Sequence, residues 1–197
     1  AHTTIFVQPR YFDVKVNEDF EFNLLLERQL FYGFQFMSVL SKGGRYGLGT
    51  SFILPRNIDN DSVTWRYTNW NISLATGYTW IYKSWISVYS DLITDVGVAK
   101  VREDRGILNS GFTYDFEKNR ANYRNPFLAF SGTVGVQFKI KSVSLFSEVG
   151  YGYDVTNTKW RNKGILPNST GQQFDQLFYR FGISFYYRER VSNRFME

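Results

Sequence analysis

Cysteine is absent from the 197 residues, and histidine occurs once, at His2. The first absence removes disulfides, thiolate nucleophiles and Cys-based metal sites together. The second leaves Ser–His and Cys–His mechanisms without a base. Paired carboxylates do not fill that gap. Asp91 and Asp95, four residues apart on a strand, would stand roughly 13 Å from each other, too far for a dyad. Gly-rich phosphate loops, EF-hand loops and His/carboxylate metal sites are missing as well. The sequence therefore predicts no enzyme, no catalytic residue, no metal and no cofactor. Long apolar runs are also lacking: none approaches the roughly 20 residues of a transmembrane helix.

Charge is scarce along much of the chain. Residues 67–99 contain only Lys83, Asp91 and Asp95 as charges, and residues 125–147 only Lys139 and Lys141. The net charge of +5 and the pI near 9.3 could suggest a nucleic-acid partner. The sequence lacks the stripe of interleaved Lys and Arg that such a partner requires, and nucleic acid is not expected. The length suits one domain. Methionine occurs only at Met37 and Met196, and the chain opens at Ala1. That start suits a chain cut behind a small-residue signal-peptide site, although an engineered start would look the same.

What is abundant is aromatic side chains, at 19%, with a mean hydropathy of only −0.32. The run Trp70-Asn71-Ile72-Ser73-Leu74-Ala75-Thr76-Gly77-Tyr78-Thr79-Trp80-Ile81-Tyr82 shows how both hold at once. Large apolar residues alternate with small, uncharged ones, which defines a strand with two unlike faces. A face in bulk water usually carries Lys, Glu and Arg. This weak face suits a crowded, wet lumen, and the strong face suits lipid and its interface.

The pattern recurs. Leu177, Tyr179, Phe181, Ile183, Phe185 and Tyr187 oppose Gln176, Phe178, Arg180, Gly182 and Ser184, and similar faces appear near 44–55, 85–99, 126–140 and 143–153. Lys83-Ser84, Lys141-Ser142 and Ser41-Lys42-Gly43-Gly44 read as short turns, whereas the alternate connections, about 55–62, 100–125 and 154–174, are long. Short turns at one end and long polar loops at the other are the arrangement of bacterial outer-membrane barrels. Strands are expected near 29–40, 44–55, 63–82, 85–99, 126–140, 143–153 and 174–188. The first hairpin turn falls at Asn17-Glu18-Asp19 or at Glu27-Arg28-Gln29, and either choice gives eight strands. Ten result if both turns exist and residues 5–16 divide again.

With these features the chain resembles the small outer-membrane β-barrels typified by the OmpA transmembrane domain and OmpX. The resemblance is architectural, covers about residues 10–190, and involves no diagnostic motif. It implies a closed antiparallel up-and-down transmembrane β-barrel over residues 11–188. Residues 1–10 would be a periplasmic segment or the start of the first strand, and 189–197 a tail. Residence in a bacterial outer membrane, periplasmic termini and a monomeric state are expected.

Three groups of residues carry the functional expectations. Asp91, Asp95, Glu148 and Arg180 fall on the weak face and form a lumen charge network, with Asp13 and Lys15 as further candidates from the first strand. An eight-stranded lumen is just wide enough for side chains to fill it, so the network is a salt-bridge plug or a narrow gated ion path. Trp70, Tyr78, Trp80, Tyr82, Tyr151, Tyr153 and Tyr187 suit membrane-interface girdles. Arg102, Arg105, Lys118, Arg120 and Arg124 in one long loop, and Lys159, Arg161 and Lys163 in another, are candidate contacts to lipopolysaccharide phosphates or an anionic host ligand. The sequence favours surface interaction by the loops over conduction through the lumen, with lipid-modifying chemistry a distant third.

Overall fold

A computed structural model describes residues 2–11, 28–40, 42–60, 63–105, 107–108, 114–115, 120–156, 161–162, 164–165 and 176–186. Eight long strands form the wall: β1 (His2–Tyr11), β2 (Arg28–Val39), β3 (Gly44–Ile53), β4 (Val63–Tyr82), β5 (Ile86–Arg105), β6 (Arg120–Ile140), β7 (Val143–Asp154) and β8 (Gln176–Tyr186). Each pairs antiparallel with its neighbours in sequence. The sheet closes where β8 pairs with β1, from His2 opposite Tyr186 to Arg10 opposite Phe178. The fold is a closed, antiparallel, up-and-down barrel.

Closure satisfies every edge, which a strand crossing lipid requires because no water is available to its backbone. The period-two pattern then sorts the side chains. In β7 burial alternates without a break from Val143 to Asp154. Outward positions carry exposed Leu48, Ile72, Leu74, Leu92, Val96, Val134, Leu145 and Phe181. Inward positions carry Gln35, Ser51, Asn71, Ser73, Thr133, Gln137 and Ser184, all buried. An apolar exterior around a polar interior inverts the order of a soluble protein and identifies a membrane-spanning barrel.

The short-turn end has the expected chemistry. Gly43 sits at φ 90 in the β2–β3 connection, a left-handed conformation that glycine adopts without a Cβ penalty. Its amide donates to Leu40 O at 2.9 Å, and its own carbonyl accepts from Thr79 N at 2.8 Å. The β6–β7 turn is the two-residue Lys141-Ser142, with Lys141 at φ 56. The β4–β5 connection is longer by one residue than the Lys83-Ser84 turn predicts, because β5 begins at Ile86. The register shifts between Thr79 and Ile81, where a bulge uses one extra residue on β4.

Three expectations are corrected. A turn at Glu27-Arg28-Gln29 does not form: Arg28 and Gln29 belong to β2 and pair with Tyr11 and Arg10 of β1. The alternative at Asn17-Glu18-Asp19 lies outside the described residues, as do Asp13 and Lys15. The predicted 100–125 loop is largely strand, since β5 runs on to Arg105 and β6 begins at Arg120. In the 55–62 connection, Arg56–Asn60 forms a short strand that pairs with the start of β4.

Candidate functional site

Three structural zones bear on function: the lumen, the outer belt, and the part of the wall beyond the belt. In the lumen, the side chains of Asp91, Glu148 and Arg180 are held by β5, β7 and β8. Arg180 Nε donates to Glu148 Oε2 at 2.6 Å, and its Nη2 also contacts that oxygen. The Tyr89 hydroxyl donates to the other oxygen, Glu148 Oε1, at 2.7 Å. Asp91 is bound by Arg45 of β3 through two parallel bonds, Nε to Oδ1 at 2.8 Å and Nη2 to Oδ2 at 3.0 Å. The Arg45 guanidinium lies 3.6 Å from the Tyr89 ring centroid, and that of Arg180 lies 4.9 Å from the Phe6 ring.

These contacts connect Asp91, Arg45, Tyr89, Glu148, Arg180 and Phe6 across the lumen. Two cations face two anions, so charge balances within the plug. Bidentate guanidinium–carboxylate pairing is the geometry that offsets the cost of burying charge. Asp95, grouped with this network from its sequence position, is buried and accepts a hydrogen bond from Ser73 Oγ at 2.5 Å. Arg45 and Tyr89 were the missing members.

Space in the plug is created by glycine. A Cβ on Gly77 would collide with Asp91 Oδ1 and the Ser90 carbonyl, and one on Gly182 with the Ile5 carbonyl. Away from the plug, Gln35 Nε2, Asn71 Nδ2 and Thr79 Oγ1 are buried with no protein partner among the described residues, so they call for lumen water.

The belt is bounded by aromatics. Trp70, Tyr78, Trp80, Tyr82, Tyr151 and Tyr153 all face outward and are exposed. Tyr187 lies outside the described residues. From Trp70 to Trp80 the strand climbs ten residues. At about 3.3 Å each and a tilt of about 40°, that is about 25 Å, the height of an outer-membrane apolar band.

Among the described residues the wall continues furthest beyond Trp70 on one side. β4, β5 and β6 have 20, 20 and 21 residues, against 10 to 12 in the other staves. Here the two faces exchange character. Trp65, Tyr67 and Val101 point inward and are buried, whereas Arg66, Lys100 and Arg124 point outward and are exposed. That is the polarity of a water-soluble sheet, and it marks the level at which the strands leave lipid. Glu103, between Arg102 and Asp104 on β5, is buried and accepts from Tyr123 Oη at 3.1 Å.

The structure scatters the cationic candidates. Arg102 and Arg124 sit on the ribbon itself. Arg105 ends β5, Arg120 begins β6, and Arg161 lies in a two-residue strand that pairs with β6 at Arg124. Lys118, Lys159 and Lys163 lie outside the described residues.

A closed eight-stranded barrel with a plugged lumen and an aromatic-bounded apolar belt defines the class of small membrane-spanning β-barrels. Solved structures agree on the fold. Neisserial surface protein A superposes with a TM-score of 0.57 at 8% identity, covering 94% of this chain and 96% of that one. A major outer membrane protein from Thermus thermophilus gives 0.57 at 10% identity, covering 94% and 99%. No family model and no curated protein matches the sequence.

Proposed function

We propose that this chain is a bacterial outer-membrane protein whose barrel anchors a surface-interaction ribbon outside the cell. The observation that carries this reading is the continuation of β4, β5 and β6 beyond the aromatic boundary, with inverted polarity, over a lumen crossed by paired charges. A wall needed only for conduction would end at the belt. His2 at the start of β1 and Tyr186 at the end of β8 lie at the short-turn end, opposite the ribbon, so the ribbon faces outward when that end is periplasmic. Its outward cations suit an anionic ligand such as a sulfated or phosphorylated surface polymer. The reading assigns no catalysis, treats the protein as a monomer, and is overturned by turnover in a lipid-hydrolysis assay.

Attachment of cells displaying the protein to a dextran-sulfate-coated surface tests it. Shortening residues 106–119 together with the hairpin at 161–165 should abolish attachment, whereas the Lys42→Gln variant at the opposite end should attach normally. Attachment that survives the shortening refutes the reading. A second reading, a narrow gated channel, is favoured by the buried polar atoms above and below the plug that have no protein partner among the described residues. Its signature is single-channel current in planar bilayers that changes when Arg45 or Asp91 is neutralised.

A further inference from the structure

We infer that the outer wall of β4–β6 carries a docking site for the phosphate groups of a lipid A-type outer-leaflet lipid. The inference rests on the proposed outward orientation of the ribbon. Cross-strand register assembles the site from residues that are distant in sequence. Arg66 of β4 stands opposite Arg102 of β5, and Lys100 of β5 opposite both Thr68 of β4 and Arg124 of β6. Arg66, Lys100, Arg102 and Arg124 thus share one face, around a cleft of about 320 Å³ that Asn122 and Tyr123 also line. Among the side chains described, the carboxylate near these cations on this face is Asp104, whose Oδ2 lies 2.8 Å from Arg102 Nε.

Like charges placed directly opposite on neighbouring strands are destabilising. Two such pairs side by side are accounted for if anions bind between them. Guanidinium groups match phosphate oxygens two at a time, and the lysine adds a point charge.

Height decides which phosphate. On β5 and β6 the outward residues immediately below Lys100 and Arg124 are Val98 and Pro126, level in register with Trp70 of β4, where Thr68 stands between Arg66 and Trp70. Exposed Ile72, Val96 and Phe130 follow within the apolar belt. The cations therefore stand one to two residue pairs above the aromatic boundary, at headgroup level. An apolar wall continues directly beneath them. A soluble anion would use only the upper half of this surface, whereas a lipid with phosphates above and acyl chains below uses both.

The test measures binding of hexa-acylated diphosphoryl lipid A, and of the same lipid stripped of phosphate, to the folded full-length barrel in detergent micelles by native mass spectrometry. The wild type should prefer the diphosphoryl form. The Arg66→Gln/Arg124→Gln double variant should lose about thirtyfold of that affinity, at about a fivefold effect per cation near a charged lipid surface. Lys42→Gln/Lys83→Gln, at the short-turn end, should bind as the wild type does. Equal binding of the two lipids by the wild type overturns the inference, and this arm requires no variant to fold. A protease site inserted within 109–113 separates the two levels of failure. Cleavage only after the membrane is breached removes the orientation and the inference with it. Cleavage from outside, without phosphate preference, removes the inference alone.

Discussion

Replacing Arg180 by methionine tests whether the lumen plug holds the barrel together. Arg180 Nε and Glu148 Oε2 are 2.6 Å apart, and both side chains are only 4% exposed. Removing one partner of a buried pair costs about 3–5 kcal/mol, because the other charge stays behind uncompensated. In Arg180→Met the stranded carboxylate keeps the Tyr89 hydroxyl at 2.7 Å, and lumen water softens the penalty. We expect the low end, about 3 kcal/mol. In Glu148→Gln the stranded group is a guanidinium with the Phe6 ring at 4.9 Å. A carboxylate can escape its charge by binding a proton, whereas a guanidinium cannot. This variant should therefore lose more, about 4–5 kcal/mol. The double variant strands no charge and should lose less than about 2 kcal/mol. Urea unfolding in lipid vesicles, followed by tryptophan fluorescence and by the gel mobility of unboiled samples, measures all three. Additive losses, or single losses below about 1 kcal/mol, would refute the account of the plug.

Gly182→Ala should cost about 1–3 kcal/mol in the same unfolding assay, because its Cβ would strike the Ile5 carbonyl. Gly132→Ala should be close to neutral, since a Cβ there meets nothing within 4 Å. Leu74→Arg, in the middle of the apolar belt, should lose about 2–4 kcal/mol, and Thr68→Arg, above the boundary, about 0–1 kcal/mol. Equal losses at the two positions would show that Trp70 does not mark the membrane surface.

Alternation made the staves legible because lipid outside and a crowded lumen inside impose opposite demands on successive residues. It failed in two instructive places. Arg45 follows Gly43-Gly44 and reads as a turn-flanking cation, although it is in phase with Gly47 and Ser51 of the inner face; only the register, which sets it beside Gly77, shows that Asp91 is within its reach. The stretch from Lys100 to Arg105 reads as loop because both of its faces carry charge. The signal was present in inverted form. Trp65 and Tyr67 alternate with Arg66 and Thr68 out of phase with the large residues from Trp70 to Trp80. Such a phase change is what a strand leaving lipid for water should show. Alternation places Asp95 on the inner face, where it accepts a hydrogen bond from the neutral Ser73, a contact that charge counting cannot reveal.

The ribbon also sets a problem for assembly. If the termini stay behind on the short-turn side, every residue beyond Trp70 on β4, β5 and β6 must be carried through the bilayer before the barrel closes. Four of the outward residues are Arg66, Lys100, Arg102 and Arg124. Each would cost about 2–4 kcal/mol at the midplane, or about 8–16 kcal/mol if all faced lipid together. Translocation therefore has to keep that face out of contact with lipid until the three strands have crossed.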